Sequence, residues 1–168
     1  MIKSVFNTIV LLFGLLIAND SNAQVQSIRI SINGLTCSQC SKSVEMRLKK
    51  VPFITQVAMD LQNTEAKVSI NKSKAIDLTK VAKAVTDAGF SVNSLWVMYE
   101  FPSSNYGSNK CIKTKDGIFV LTDNNSSKTQ ECLVLGKKFN ASKQFQQTPN
   151  ALKDITCKGA LIYYLQAS

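Results

Sequence analysis

Two cysteines stand three residues apart in the segment Gly34-Leu35-Thr36-Cys37-Ser38-Gln39-Cys40, and the whole chain contains no histidine. That combination narrows the chemistry. Without histidine there is no imidazole general base, no Ser-His-Asp or Cys-His pair, and no imidazole metal ligand. Any metal or sulfur chemistry therefore falls to the five cysteines. A Cys-x-x-Cys pair across a strand-to-helix loop holds its sulfurs close together on one rim. Free N–H groups and the helix dipole favour thiolate there, and Lys42 adds positive charge nearby. Two soft thiolates with no carboxylate or imidazole beside them suit a soft, low-coordinate ion: Cu(I) first, Hg(II) or Ag(I) next. Structural zinc asks for four ligands, and only two are local.

The surrounding pattern shows what must position this pair. Ile28, Ile30 and Ile32 alternate with polar residues, which predicts a half-buried strand. Cys40, Val44, Leu48 and Val51 share one face of a helix that ends before Pro52. Val57, Met59 and Leu61 alternate again, Gln62-Asn63-Thr64 turns, and Ala66, Val68 and Ile70 complete a hairpin. Leu78, Val81, Ala82, Val85 and Ala88 mark a second amphipathic helix, with Asp77 as N-cap, Gly89 at C′ and Phe90 able to pack back. A fourth strand runs from Val92 to Val97. The order over residues 24–97 is β-α-β-β-α-β, an α+β arrangement of ferredoxin-like type.

At this point residues 25–97 resemble the heavy-metal-associated domain, the module of copper chaperones, copper-transporting ATPase tails and periplasmic mercury-binding proteins. Gly34, Thr36, Cys37 and Cys40 match its Gly-Met-Thr-Cys-x-x-Cys motif. Asp87-Ala88-Gly89-Phe90 matches its run of an acidic residue, Ala, Gly and an aromatic. The resemblance implies that Cys37 and Cys40 bind one soft ion and pass it to a like domain through shared thiolate intermediates. It also implies that Leu35, which replaces the usual Met, packs beneath the loop as core, and that Phe90 shields the sulfurs. Mercury-binding members usually carry Pro after the second cysteine and lack a C-terminal half, whereas this chain has Ser41 and a long continuation. Copper is therefore the favoured ion, on family frequency, and a periplasmic mercuric-ion-binding protein is the alternative.

A different class is a thiol-disulfide oxidoreductase, which also opens a helix with Cys-x-x-Cys. Against it, the motif lacks an aromatic before the pair and a Pro within it. Nor do Pro52, Pro102 or Pro149 occupy the cis position after a third strand that such a fold uses. The expectation is a binding protein and not an enzyme.

The flanking segments set compartment and companions. Residues 1–23 read as a signal peptide, with Lys3, an apolar run from Ile9 to Ala18, and Ser21-Asn22-Ala23 at the cleavage site. Secretion, into a bacterial periplasm, is expected, without stable membrane insertion after cleavage. The net charge of +9 is nearly all lysine and divides evenly between residues 24–97 and 98–168. No basic-aromatic stripe points to nucleic acid, while a metal donor or acceptor with an acidic docking face would complement the lysines. Residues 98–110 read as a linker. Residues 111–168 are expected to form a small, mostly β domain, shaped as a partly open barrel, from strands at 117–122, 131–135 and 160–165 with a turn at Asn124–Ser127. Cys111, Cys132 and Cys157 allow three pairings. Cys111–Cys132 is the expected disulfide, and a second thiolate cluster or a third ligand to the Cys37/Cys40 ion is the competing use.

Overall fold

The computed structural model describes residues 24–102, 111–122, 127–146 and 157–168. The signal segment 1–23, most of the linker and most of the turn at 124–127 lie outside the described residues. The first half follows the expected order: β1 (Gln24–Asn33), α1 (Ser38–Leu48), β2 (Ile54–Asp60), β3 (Glu65–Ile70), α2 (Leu78–Asp87) and β4 (Ser91–Glu100). β5 (Cys111–Thr114), β6 (Gly117–Leu121), β7 (Thr129–Leu135), the single turn α3 (Lys143–Gln146) and β8 (Ile162–Ala167) complete it.

The alternation seen in sequence sets the faces. Ile28, Ile30 and Ile32 of β1, Ala66 and Val68 of β3, and Val92, Leu95 and Val97 of β4 are buried in one core with Val44 and Leu48 of α1 and Val81 and Val85 of α2. β1 is central, pairing antiparallel with β3 through Ile30↔Ala66 and with β4 through Ile30↔Leu95. Helix α2 closes as its sequence predicts. Gly89, at φ +89°, donates to Thr86 O (2.9 Å), and Phe90 N–H donates to Val85 O (3.2 Å), the paired bonds of a Schellman cap. Phe90 then packs back on the core.

The second half differs from the expectation of a separate, barrel-like domain. It is mostly β, but its strands continue the first sheet, giving one open eight-stranded sheet ordered β2-β3-β1-β4-β7-β8-β6-β5. The reason lies in β4. It runs past Val97 to Glu100, so residues 98–100, read as linker, are strand. Val97, Tyr99 and Phe101 stay buried, and β4 bonds to β1 on one side and β7 on the other, with Trp96↔Leu133 and Glu100↔Thr129. Without β7 this apolar strand would be a sheet edge. β8 lies between β6 and β7, parallel to the first and antiparallel to the second, so β6 and β7 do not form the hairpin that their sequence spacing suggests.

The two halves share one core as well. Tyr99, Phe101, Phe119, Phe139 and Tyr163 form a chain of ring contacts with centroids 4.8–6.1 Å apart. Tyr163 Oη accepts from Leu78 N (3.1 Å) and donates to Asp77 Oδ1 (3.1 Å), tying β8 to the start of α2. Asp116, buried in the β5–β6 turn, accepts from Ile76 N at 2.8 Å. Its burial pushes the carboxyl above the usual aspartate range.

Candidate metal site

Cys37 is the N-cap of α1, in an extended conformation (φ −133°, ψ 156°). Its Sγ accepts the Cys40 N–H at 3.1 Å, and its carbonyl accepts from Ser41 N at 3.0 Å. A sulfur therefore occupies the place usually taken by a Ser or Asp side-chain oxygen, so it sits where the free N–H groups and positive dipole end converge. The first turn of α1 holds no acidic residue to oppose negative charge. Cys40 enters that turn half-buried and packs against the core, while Cys37 is exposed. The two sulfurs are joined as a disulfide, their Cα atoms 5.2 Å apart.

The loop before the pair is held from below. Gly34 takes φ +80°, a left-handed conformation that glycine adopts without a Cβ penalty, and Thr36 N–H donates to its carbonyl at 3.0 Å. Leu35 is fully buried, in the core position that the resemblance implied. Phe90 is half-buried, and a Cβ at Gly34 would lie 3.9 Å from its ring, so the ring borders the loop that carries Cys37. Thr36 is exposed. Ser41, which sequence reasoning noted only as a departure from Pro, is buried directly behind Cys40.

Lys42 behaves differently from expectation. Its ammonium lies 3.1 Å from Glu45 Oε2, and Lys49 reaches the other oxygen at 2.5 Å. The hydrogen bonds from Lys49 and Lys42 hold the Glu45 carboxyl below its ordinary range. Lys42 thus shares its charge with a carboxylate, and the helix terminus becomes the main source of positive field at the sulfurs.

The other cysteines come together in a different pairing from the expected one. Cys111 is bonded to Cys157, with Cα atoms 5.9 Å apart, and not to Cys132. The sheet explains why. Cys111 and Cys157 pack with Ile118 and Val120 on one face, whereas Cys132 is buried in the core on the helix-bearing face. A bond between Cys111 and Cys132 would have to cross the sheet. Cys132 keeps its thiol, which contacts Gln130 O at 3.8 Å. Among the described residues no group of three or more Cys, His, Asp or Glu is arranged to hold a metal ion, and no further cysteine joins Cys37 and Cys40.

A ferredoxin-like module with a Cys-x-x-Cys capping its first helix defines a class of small metal-binding domain. Comparison with known proteins agrees. Residues 29–91 match the model of the heavy-metal-associated domain. The mercuric transport protein periplasmic component of Shigella flexneri is 32% identical over 68 residues, 40% of this chain and 74% of that protein. Copper-transporting ATPase HMA4 of Oryza sativa subsp. japonica is 35% identical over 71 residues, 42% of this chain but 7% of that protein. Among solved structures, oxidized MerP from Ralstonia metallidurans CH34 is 28% identical, covering 42% of this chain and 96% of that one with a TM-score of 0.38. The chain belongs to the heavy-metal-associated domain family, and the metal-binding module is its first half. Among the described residues no helix is long and apolar enough to cross a membrane.

Proposed function

We propose that the protein is a secreted, periplasmic carrier of one soft metal ion, Cu(I) in preference, which Cys37 and Cys40 capture and release by thiolate exchange. The observation that carries this reading is the placement of both sulfurs on the N-terminal turn of α1, where backbone N–H groups stabilise thiolate and no carboxylate competes. In the disulfide form the pair holds no ion. Two electrons and two protons from a thiol reductant convert it to a dithiol, and metal capture then releases two protons as two S–M bonds form. Transfer proceeds when a thiolate of the partner adds to the exposed side of the ion and one of the resident sulfurs leaves. Cys37, the exposed member, is the first to let go; Cys40, packed on the core, is the last.

The acceptor or donor is a second metal-binding protein, with neither nucleic acid nor catalytic turnover involved. A second reading, Hg(II) as the natural cargo, is favoured by one observation: the mercuric transport relatives are covered over 74% of their length. Ser41, where mercury-binding members usually have Pro, weakens mercury, and copper rests on family frequency. Native mass spectrometry of the protein exported to a periplasm in cells given copper or mercury salts tests both readings. One copper per chain is expected, absent in the Cys37→Ser/Cys40→Ser variant. Mercury taken up in preference to copper would establish the second reading, and metal retained by the double variant would overturn both. Insulin reduction at a rate typical of disulfide oxidoreductases would overturn the non-catalytic reading.

A further inference from the structure

The turn that follows β7 carries positive charge only. Between Glu131 and Asp154 the chain has no acidic residue, and Lys137, Lys138 and Lys143 lie on the described part of that stretch. All three are exposed and make no ion pair among the described residues, unlike Lys42, Lys49 and Lys83, which each have a carboxylate partner.

The turn is firmly held. Asn140, buried at its centre, donates from Nδ2 to Val134 O (2.6 Å), and Gln146 Nε2 donates to the carbonyls of Asn140 and Ala141 (3.0 Å each). Phe139 anchors it in the core. Its position follows from pairing: Ala141 N–H donates to Asn93 O (2.9 Å) and Asn140 bridges Ser94. Asn93 and Ser94 lie near the start of β4, two and three residues beyond the Ser91 of the Asn33↔Ser91 pair that leads into the Gly34–Cys37 loop. The lysines therefore stand at the same end of the sheet as the cysteine pair. Between this turn and the outer flank of α2 runs a groove of about 310 Å³, lined by Thr79, Ala82, Lys83, Thr86 and Lys138. Lys83 is already bonded to Asp87 (2.6 Å), and the Thr79 and Thr86 hydroxyls already donate to Asp77 Oδ1 (2.6 Å) and Lys83 O (2.9 Å), which leaves Lys138 as the unshared donor of the groove.

We propose that this turn and groove form a docking rim for a carboxylate-bearing surface of the metal-exchange partner, a surface supplied by the C-terminal half. That this partner exchanges metal rests on the function proposed above; the docking itself does not. Ammonium groups with no carboxylate of their own, beside an apolar floor, suit an Asp or Glu side chain, and a turn already held by Asn140 and Gln146 needs little backbone ordering on binding.

The test uses ¹⁵N-labelled mature chain titrated with a capped hexapeptide of alternating Asp and Glu, at moderate salt. Saturable amide shifts at Lys83, Thr86, Lys138 and Ala141 are expected. Lys137→Glu/Lys138→Glu/Lys143→Glu should weaken binding at least tenfold, and the neutral Gln triple variant less, in a chain whose spectrum otherwise shows native dispersion. Equal weakening by Lys42→Glu/Lys49→Glu/Lys50→Glu on α1 would overturn the proposal, because any lysine would then serve. So would turn-dependent binding to phosphatidylglycerol vesicles without binding to the peptide. The Cys37→Ser/Cys40→Ser chain should still bind the peptide, and the turn variants should still bind one metal ion. Loss of metal binding alone therefore tells against the carrier reading, and loss of peptide selectivity alone tells against the rim.

Discussion

Replacing Tyr163 by Phe tests whether the two halves unfold as one body. The ring itself is preserved, with its contacts to Phe119 at 5.3 Å and Phe139 at 6.1 Å, so no cavity opens. Only the hydroxyl is lost, and with it two bonds of 3.1 Å: the one accepted from the buried Leu78 N–H and the one donated to Asp77. Asp77 keeps Thr79 N and Oγ1 as partners (2.9 and 2.6 Å), so its loss is small. Leu78 N–H loses its tyrosine acceptor in a buried setting, which costs about 1–3 kcal/mol, and the bond to the aspartate adds roughly 1 kcal/mol. A total of about 2–4 kcal/mol, at a urea dependence of about 2 kcal/mol per molar, moves the unfolding midpoint down by about 1–2 M. Trp96, the single tryptophan, reports on the junction directly: it lies in β4 opposite Leu133 and packs under the Arg29 guanidinium at 5.1 Å. Urea unfolding followed by Trp96 fluorescence and by far-ultraviolet circular dichroism should give one coincident transition in both proteins. A midpoint shift under about 0.3 M, or two separated transitions, would refute the argument that β8 and α2 belong to one cooperative core.

Two further outcomes follow from the same structure. Asp77 is pushed up by burial but pulled further down by hydrogen bonds from Thr79 and Tyr163, so its folded value lies below the ordinary 3.8. The stability it adds is fully present above pH 3.8 and disappears as pH falls through the lower folded value. Urea midpoints of the parent and Asp77→Asn should therefore differ most at neutral pH and draw together as the pH falls below 3.8; a gap independent of pH would exclude the charge as its source. Replacing Cys111 and Cys157 together by Ala releases a cross-link spanning 46 positions. Loop closure of that length supports a loss of about 2–4 kcal/mol in urea unfolding, and a loss below about 1 kcal/mol would mean the bond adds little.

The first half was readable because each of its elements has a local cause. The period-2 isoleucines, the 3.6-period stripe on α1, the Asp77 cap and the Gly89-Phe90 closure each act within a few residues, and all agree with one another. The cysteine pair was readable for the same reason, since Cys37 caps the helix that Cys40 enters. The second half depends on distant partners. Ile118↔Ile162 pairing joins residues far apart in the chain, and nothing local says that β8 lies between β6 and β7. β7 illustrates why the disulfide was misassigned. Cys132, Leu133, Val134 and Leu135 are all buried, because both faces of that strand are covered. With no polar alternation, the sequence carries no sign of which face Cys132 takes. On β5 the neighbours Cys111 and Ile112 fall on opposite faces, a fact that becomes visible only once the register Cys111↔Val120 is known.

The even spread of lysine along the chain conceals a local asymmetry that the sheet creates. Because β7 pairs with β4 over Trp96–Glu100, the residues after β7 must emerge beside the start of β4, which is also where β1 leaves for the cysteine loop. An extension joined by a flexible tether would carry its charge at no fixed distance from Cys37. One built into the sheet cannot move away from the loop without breaking the ladder between β4 and β7. The continuation therefore does two things with one set of hydrogen bonds: it covers the apolar edge that β4 would otherwise expose, and it fixes Lys137, Lys138 and Lys143 at the end of the sheet that carries the cysteine loop. A net charge of +9 that points nowhere in the sequence thus acquires a direction from the strand order.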